Sequence, residues 1–147
     1  MSDPRDPRIQ RTPHSGMQRP RSNAATGVPP GWPREVRPSG TPDWERSAVA
    51  WLLDLCPPDY RGHSVLARYP IALARVASHH VAASIEGCHR TLGTARAELG
   101  GPGGLSVQVV EQVIEAVETE RARLLAAARA VDLIEHALRG RGFVPGL

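Results

Sequence analysis

Lysine is missing from this 147-residue chain, in which all 18 basic residues are arginine. A phosphate loop of the Walker type needs a strand before its glycines and a lysine after them, so Gly100-Gly101-Pro102-Gly103-Gly104 does not read as one. Arginine can grip phosphate bidentately. A chain this rich in alanine, arginine, glycine and proline nevertheless reads first as the product of a GC-rich genome. Cysteine is scarce: Cys56 and Cys88 are the only two, too isolated for a disulfide framework or a zinc site, and they are expected to be buried free thiols. Nowhere does the chain approach the run of about 20 apolar residues that a membrane span requires. The N-terminal stretch also lacks the apolar core of a secretory signal. These absences predict a cytoplasmic protein with no membrane partner.

What is present is divided unevenly. Nine of the 14 prolines fall within the first 42 residues. With interleaved serine, glycine and arginine and few aliphatic residues, residues 1 to 40 offer too little apolar surface to offset the entropy of ordering them, and are expected to be a disordered arm. Those forty residues hold seven arginines and three acids, a net charge of +4, whereas the whole chain carries +3. The basic character therefore belongs to the arm. Arginine of this kind supports weak nucleic-acid association, salt-sensitive and unspecific, because no helix or aromatic platform accompanies it to read bases.

Residues 41 to 147 read as one all-helical domain. Thr41 suits an N-cap, Pro42 a first helical position, and Asp43 and Glu45 the first turn of a helix over about 42 to 56, closed by Pro57-Pro58. Trp44, Ala48, Trp51, Leu52 and Leu55 give that helix one apolar face. A turn and a short connecting helix over about 63 to 69 follow. Pro70 then opens a long helix to about Leu99. A second long helix runs from about 106 to 139.

The two long helices carry matching seams. Ile71, Ala74, Ser78, Val81, Ile85, Cys88, Leu92, Ala95 and Leu99 recur in steps of three and four, as do Val110, Val113, Val117, Glu120, Leu124, Ala127, Val131, Ile134 and Leu138. Repeats sustained over four heptads are a coiled-coil signature. The short Gly/Pro connection makes the helices antiparallel neighbours. Reflection about the turn pairs 74 with 131, 81 with 124, 85 with 120, 92 with 113 and 95 with 110, and every one of these positions already lies on a seam. Each arm would be about 45 Å long at about 1.5 Å per residue. Gly87 and Gly93 weaken the first arm and allow a kink there. Trp32, Trp44, Trp51, Tyr60, Tyr69 and Phe143 all lie outside the long helices, and are expected to form an aromatic core at the open end of the hairpin.

Few residues suggest chemistry. Glu86 and His89 have the Glu-x-x-His spacing of carboxylate-bridged metal sites, and His79 shares their face. The second helix supplies no matching pair, since Glu111, Glu115 and Glu118 point away from its seam, so these residues read as a solvated flank. Glu120 is sharper. A carboxylate on the seam opposite Ile85 must reach His89, Arg121 or Arg123, or extend outward to water, and its best-attested use is to fix register. No catalytic, cofactor-binding or metal residue is assigned, and no cofactor is expected. A metalloenzyme using Glu86, His89 and Glu120 is a remote alternative.

Three segments carry a resemblance. Gly31-Trp32-Pro33-Arg34-Glu35-Val36, then Trp51-Leu52-Leu53-Asp54 leading to Cys56-Pro57-Pro58-Asp59-Tyr60-Arg61, and finally Ala137-Leu138-Arg139-Gly140 with Phe143-Val144-Pro145 resemble a group of short uncharacterised actinobacterial proteins, over about residues 28 to 147. The resemblance implies no activity, ligand or site. It does imply that Trp32 to Pro38 belongs with the folded part. The expected function is non-enzymatic: a helical hairpin that binds a second copy of itself or another protein, with nucleic-acid association through the arm as the alternative.

Overall fold

The computed structural model describes residues 27 to 140, and among these all regular structure is helical. Helix α1 spans Trp44–Asp54, a 3-10 turn spans Pro58–Gly62, and α2 spans Ser64–Arg68. The hairpin is α3, Pro70–Leu99, and α4, Val107–Leu138. Pro70 does occupy the first turn of α3, and the helix runs unbroken through Gly87 and Gly93. Ser106 caps α4 as its residue type suggests, its hydroxyl accepting the Val109 N–H at 3.3 Å. In the turn, the Leu105 N–H donates to the Leu99 carbonyl at 2.7 Å. Gly101 and Gly103 supply positive φ there.

The start of α1 differs from expectation. Its first helical residue is Trp44, preceded by Asp43 in the left-handed region at φ 61°, a conformation that aspartate tolerates better than most residues. Thr41 does not cap the helix: its hydroxyl donates to the Pro38 carbonyl at 2.6 Å. Pro42 therefore belongs to a turn ahead of the helix. Ser47 ties the incoming chain down, accepting the Arg37 N–H at 2.9 Å and donating to the Trp44 carbonyl at 2.7 Å.

The folded body also begins earlier than residue 41. Val36 is only 3% exposed. The Trp32 indole N–H donates to the Val36 carbonyl at 2.9 Å, and its ring lies 6.3 Å from that of Trp44. Gly31, at φ +89°, lets the backbone run close to α4, where a Cβ would already touch Leu133 at 3.6 Å. Composition averaged over forty residues hid this anchor, because one tryptophan and one valine carry it. The rest of the expected arm, residues 1 to 26, lies outside the described residues, and so does Phe143.

Three clusters of buried side chains run along the hairpin. At its open end Ala48 and Leu52 of α1 pack on Leu73, Ala74, Val131 and Ile134, with Trp32, Trp44, Trp51 and Tyr60 around them. Tyr69 does not join this aromatic group and is 57% exposed. The middle cluster is Val81, Leu124 and Ala127, on which Leu55 rests. The third, near the turn, is Ala95, Val110 and Ile114, flanked by Leu92 and Leu99. Residues 74 and 131, 81 and 124, and 95 and 110 thus meet in the expected antiparallel register.

The seam of α4 drifts from the expected one toward the turn. Ile114 is buried, whereas Val113 is only half-buried, and Leu92 packs against the cluster that holds Ile114 and Val110. Ile85 belongs to the middle cluster, and Glu120 does not close the seam opposite it. An α-helix turns once in 3.6 residues and a heptad seam in 3.5, so an uncorrected heptad walks around the helix by about 20° per repeat.

Candidate functional site

Among the described residues no group of three or more histidine, cysteine, aspartate or glutamate side chains could hold a metal ion. His79, Glu86 and His89 are all exposed on α3. Glu120 is nearly half exposed, at 46%, and pairs within its own helix with Arg123, whose Nε donates at 2.8 Å. That hydrogen bond holds the Glu120 carboxyl below the usual glutamate range. Arg123 was one of the partners the sequence allowed. The cysteines are both free. Burial pushes the Cys56 thiol up, which leaves little reactive thiolate at neutral pH, and Cys88 is only half-buried.

Among the described residues the one buried charge lies beside the expected seam of α4. Glu135 of α4 is 9% exposed. It accepts from Arg75 of α3 at 3.3 Å and from Arg139, one turn on, at 3.0 Å and 3.2 Å. Burial pushes this carboxyl up, and the hydrogen bonds from Arg139 and Arg75 more than reverse that, holding it below the usual glutamate range. The site is shallow. Little water touches the carboxylate, yet both arginines are more than two-fifths exposed, so solvent screens the group from one side. Its signal in the sequence is the i,i+4 spacing of Glu135 and Arg139 beside the seam. Both carboxylate oxygens are used within the cluster, Oε2 by Arg75 and Oε1 by Arg139, and its role is to join the ends of α3 and α4.

A shallow cleft at the α3 surface brings Tyr60 edge-on to His80, ring centroids 5.0 Å apart, with Val76, His79 and Ala83 beside them. Its lining includes no serine, threonine or cysteine and no carboxylate to orient either histidine, so it lacks the nucleophile, base and orienting group of a triad-type site.

The remaining feature is the hairpin itself. Helix α1 covers its open end and reaches no further than the contact of Leu55 with the middle cluster. Beyond that point, no residue from 82 to 94 of α3 or from 115 to 123 of α4 is buried. The turn end carries Leu105, Val107 and Val109, exposed by 48%, 80% and 40%. Across it Arg96 grips Glu111 with two hydrogen bonds of 2.9 Å and 3.1 Å. Half-exposed seams of this kind are what a two-helix arrangement leaves uncovered, and apolar patches on such surfaces mark contact sites.

No helix among the described residues is long and apolar enough to cross a membrane. No protein-family model, no curated protein and no solved structure matches this chain.

Proposed function

We propose that this chain is a non-enzymatic interaction protein whose hairpin, beyond the part covered by α1, receives a second copy of itself or another protein. The observation that carries the reading is the uncovered stretch of 82 to 94 and 115 to 123, where two long helices share a seam with no buried residue. A third or fourth helix laid along such a pair completes the apolar stripe that two helices leave open. Two isolated thiols suit a reducing compartment, and we place the protein in the cytoplasm. A photoreactive amino acid at Val107, with the same residue at the base position Val65 as a comparison, tests the reading in the native host. Specific adducts are expected from Val107. An absence of adducts from any distal hairpin position would contradict it.

A second reading rests on charge alone, the net +4 of residues 1 to 40. Retention on DNA or RNA at low salt, lost when residues 1 to 26 are deleted, supports it. Unchanged retention after the deletion removes it.

A further inference from the structure

The outer face of α4 orders its charges in a way that suits its own reversal. From Val107 to Glu120 the helix carries Glu111, Glu115, Glu118 and Glu120 and no basic residue, and from Arg121 to Val131 it carries Arg121, Arg123 and Arg129 and no acid. Glu111 is taken by Arg96 and Glu120 by Arg123. Glu115, Glu118, Arg121 and Arg129 have no ion-pair partner among the described residues. Glu115, Thr119, Ala122, Ala126 and Arg129 follow at steps of four, three, four and three, so they form one stripe along the helix. All five are exposed. They lie on the far side of α4 from Val110, Ile114, Leu124 and Val131, which are buried toward α3.

As a self-association form of the interaction reading above, carried by the outer face of α4 and not by the open seam between α3 and α4, we infer that two copies of this chain pair antiparallel through this stripe of α4, with Ala122 of both at the two-fold axis. Reversal about 122 sets 115 opposite 129 and 119 opposite 125. Glu115 of each copy then meets Arg129 of the other, once at each end of the contact, and Glu118 lies within a turn of the same guanidinium. Thr119 faces Leu125, an exposed apolar side chain at 41%. At the axis Ala122 meets Ala122 and adds no bulk, whereas Ala126 lies opposite Glu118, so the close approach of the axes is confined to the centre of the contact. The parallel arrangement is disfavoured, because it sets glutamate against glutamate and arginine against arginine. A two-fold contact of this kind uses the same surface on both partners and closes at two copies.

Sedimentation equilibrium of the full chain across the micromolar range tests the pairing. The expected result is a monomer–dimer equilibrium that weakens as salt is raised, since its ion pairs are exposed to screening. Ala122→Glu, at an exposed position, should leave helicity by circular dichroism unchanged and weaken the dimer by about tenfold or more through like charge at the axis. Glu115→Arg alone and Arg129→Glu alone should each weaken it, and the two together should restore it. A chain that stays monomeric overturns the pairing, as does a dimer indifferent to Ala122→Glu or a double reversal that fails to restore association. The indifferent dimer would leave the wider interaction reading standing through another surface. A monomer would leave that reading to the crosslinking result alone, so the two failures are separable.

Discussion

Arg75 and Glu135 are 60 positions apart in the chain, and their side chains meet at 3.3 Å across the open end of the hairpin. Arg139 closes on the same carboxylate. Because Glu135 ionises more readily in the folded protein than in the unfolded chain, it contributes stability at pH values above the ordinary glutamate range near 4.3. That contribution is lost as the pH falls through its own lower value. Glu135→Gln should therefore cost about 1–2 kcal/mol at neutral pH, less than a fully buried pair would, since both arginines reach water. Chemical denaturation at pH 7 and again near pH 3 checks this: the gap between the two proteins should shrink at the lower pH.

The drift of the α4 seam predicts a reversal of two neighbouring substitutions. Ile114 is 7% exposed within the cluster near the turn, whereas Val113 is half-buried. Ile114→Ala should lower stability by about 2–3 kcal/mol and Val113→Ala by about 1 kcal/mol or less. Urea melts monitored by circular dichroism measure both. Equal losses would restore the strict heptad.

Glu120→Leu, which a buried seam carboxylate would turn into a strong stabilisation, should change stability by no more than about 0.5 kcal/mol. The residue is half exposed and its pair with Arg123 is an exposed i,i+3 pair, of the kind worth a few tenths to 1 kcal/mol at most. Thermal melts of the two proteins side by side provide the check.

Three glycines separate into two classes. A Cβ at Gly87 or Gly93 would meet nothing within 4 Å, so replacing either by alanine should stabilise α3 by about 0.5–1 kcal/mol through lost backbone freedom in the unfolded chain. A Cβ at Gly104 would lie 2.5 Å from the carbonyl oxygens of Leu99 and Gly100. Gly104→Ala should accordingly lower the melting temperature, because the turn backbone has to shift. Differential scanning calorimetry of the three variants distinguishes these signs.

The hairpin and its register were legible in the sequence because periodicity and turn chemistry agree: Pro70 and the glycine-rich connection fix the ends, and 81 with 124 and 95 with 110 follow from reflection. What was hidden depended on single contacts. Trp32 and Val36 anchor a proline-rich segment through one indole hydrogen bond and one buried valine, which average composition dilutes. Glu135 lies beside the seam, and only the rotation of α4 against α3 brings Arg75 to it. Glu120 takes one of the partners the sequence allowed, Arg123, but its half-exposed position was not legible, since a heptad counted in integers ignores the slow drift of a real helix. The exposure of Leu105 and Val107 at the turn emerged only from the fold.

Hydrogen–deuterium exchange of the full chain, measured dilute and then concentrated, tests the central claim that the distal hairpin is a contact surface with little stability of its own. Amides in stretches with few buried apolar contacts open locally at low free-energy cost. In dilute solution residues 82 to 94 and 115 to 123, which hold no buried residue, should exchange much faster than residues 73 to 81 and 127 to 134, which hold the buried core under α1. On concentration, protection should rise across 115 to 129. Uniformly slow exchange along both helices in dilute solution, unchanged by concentration, would contradict the account.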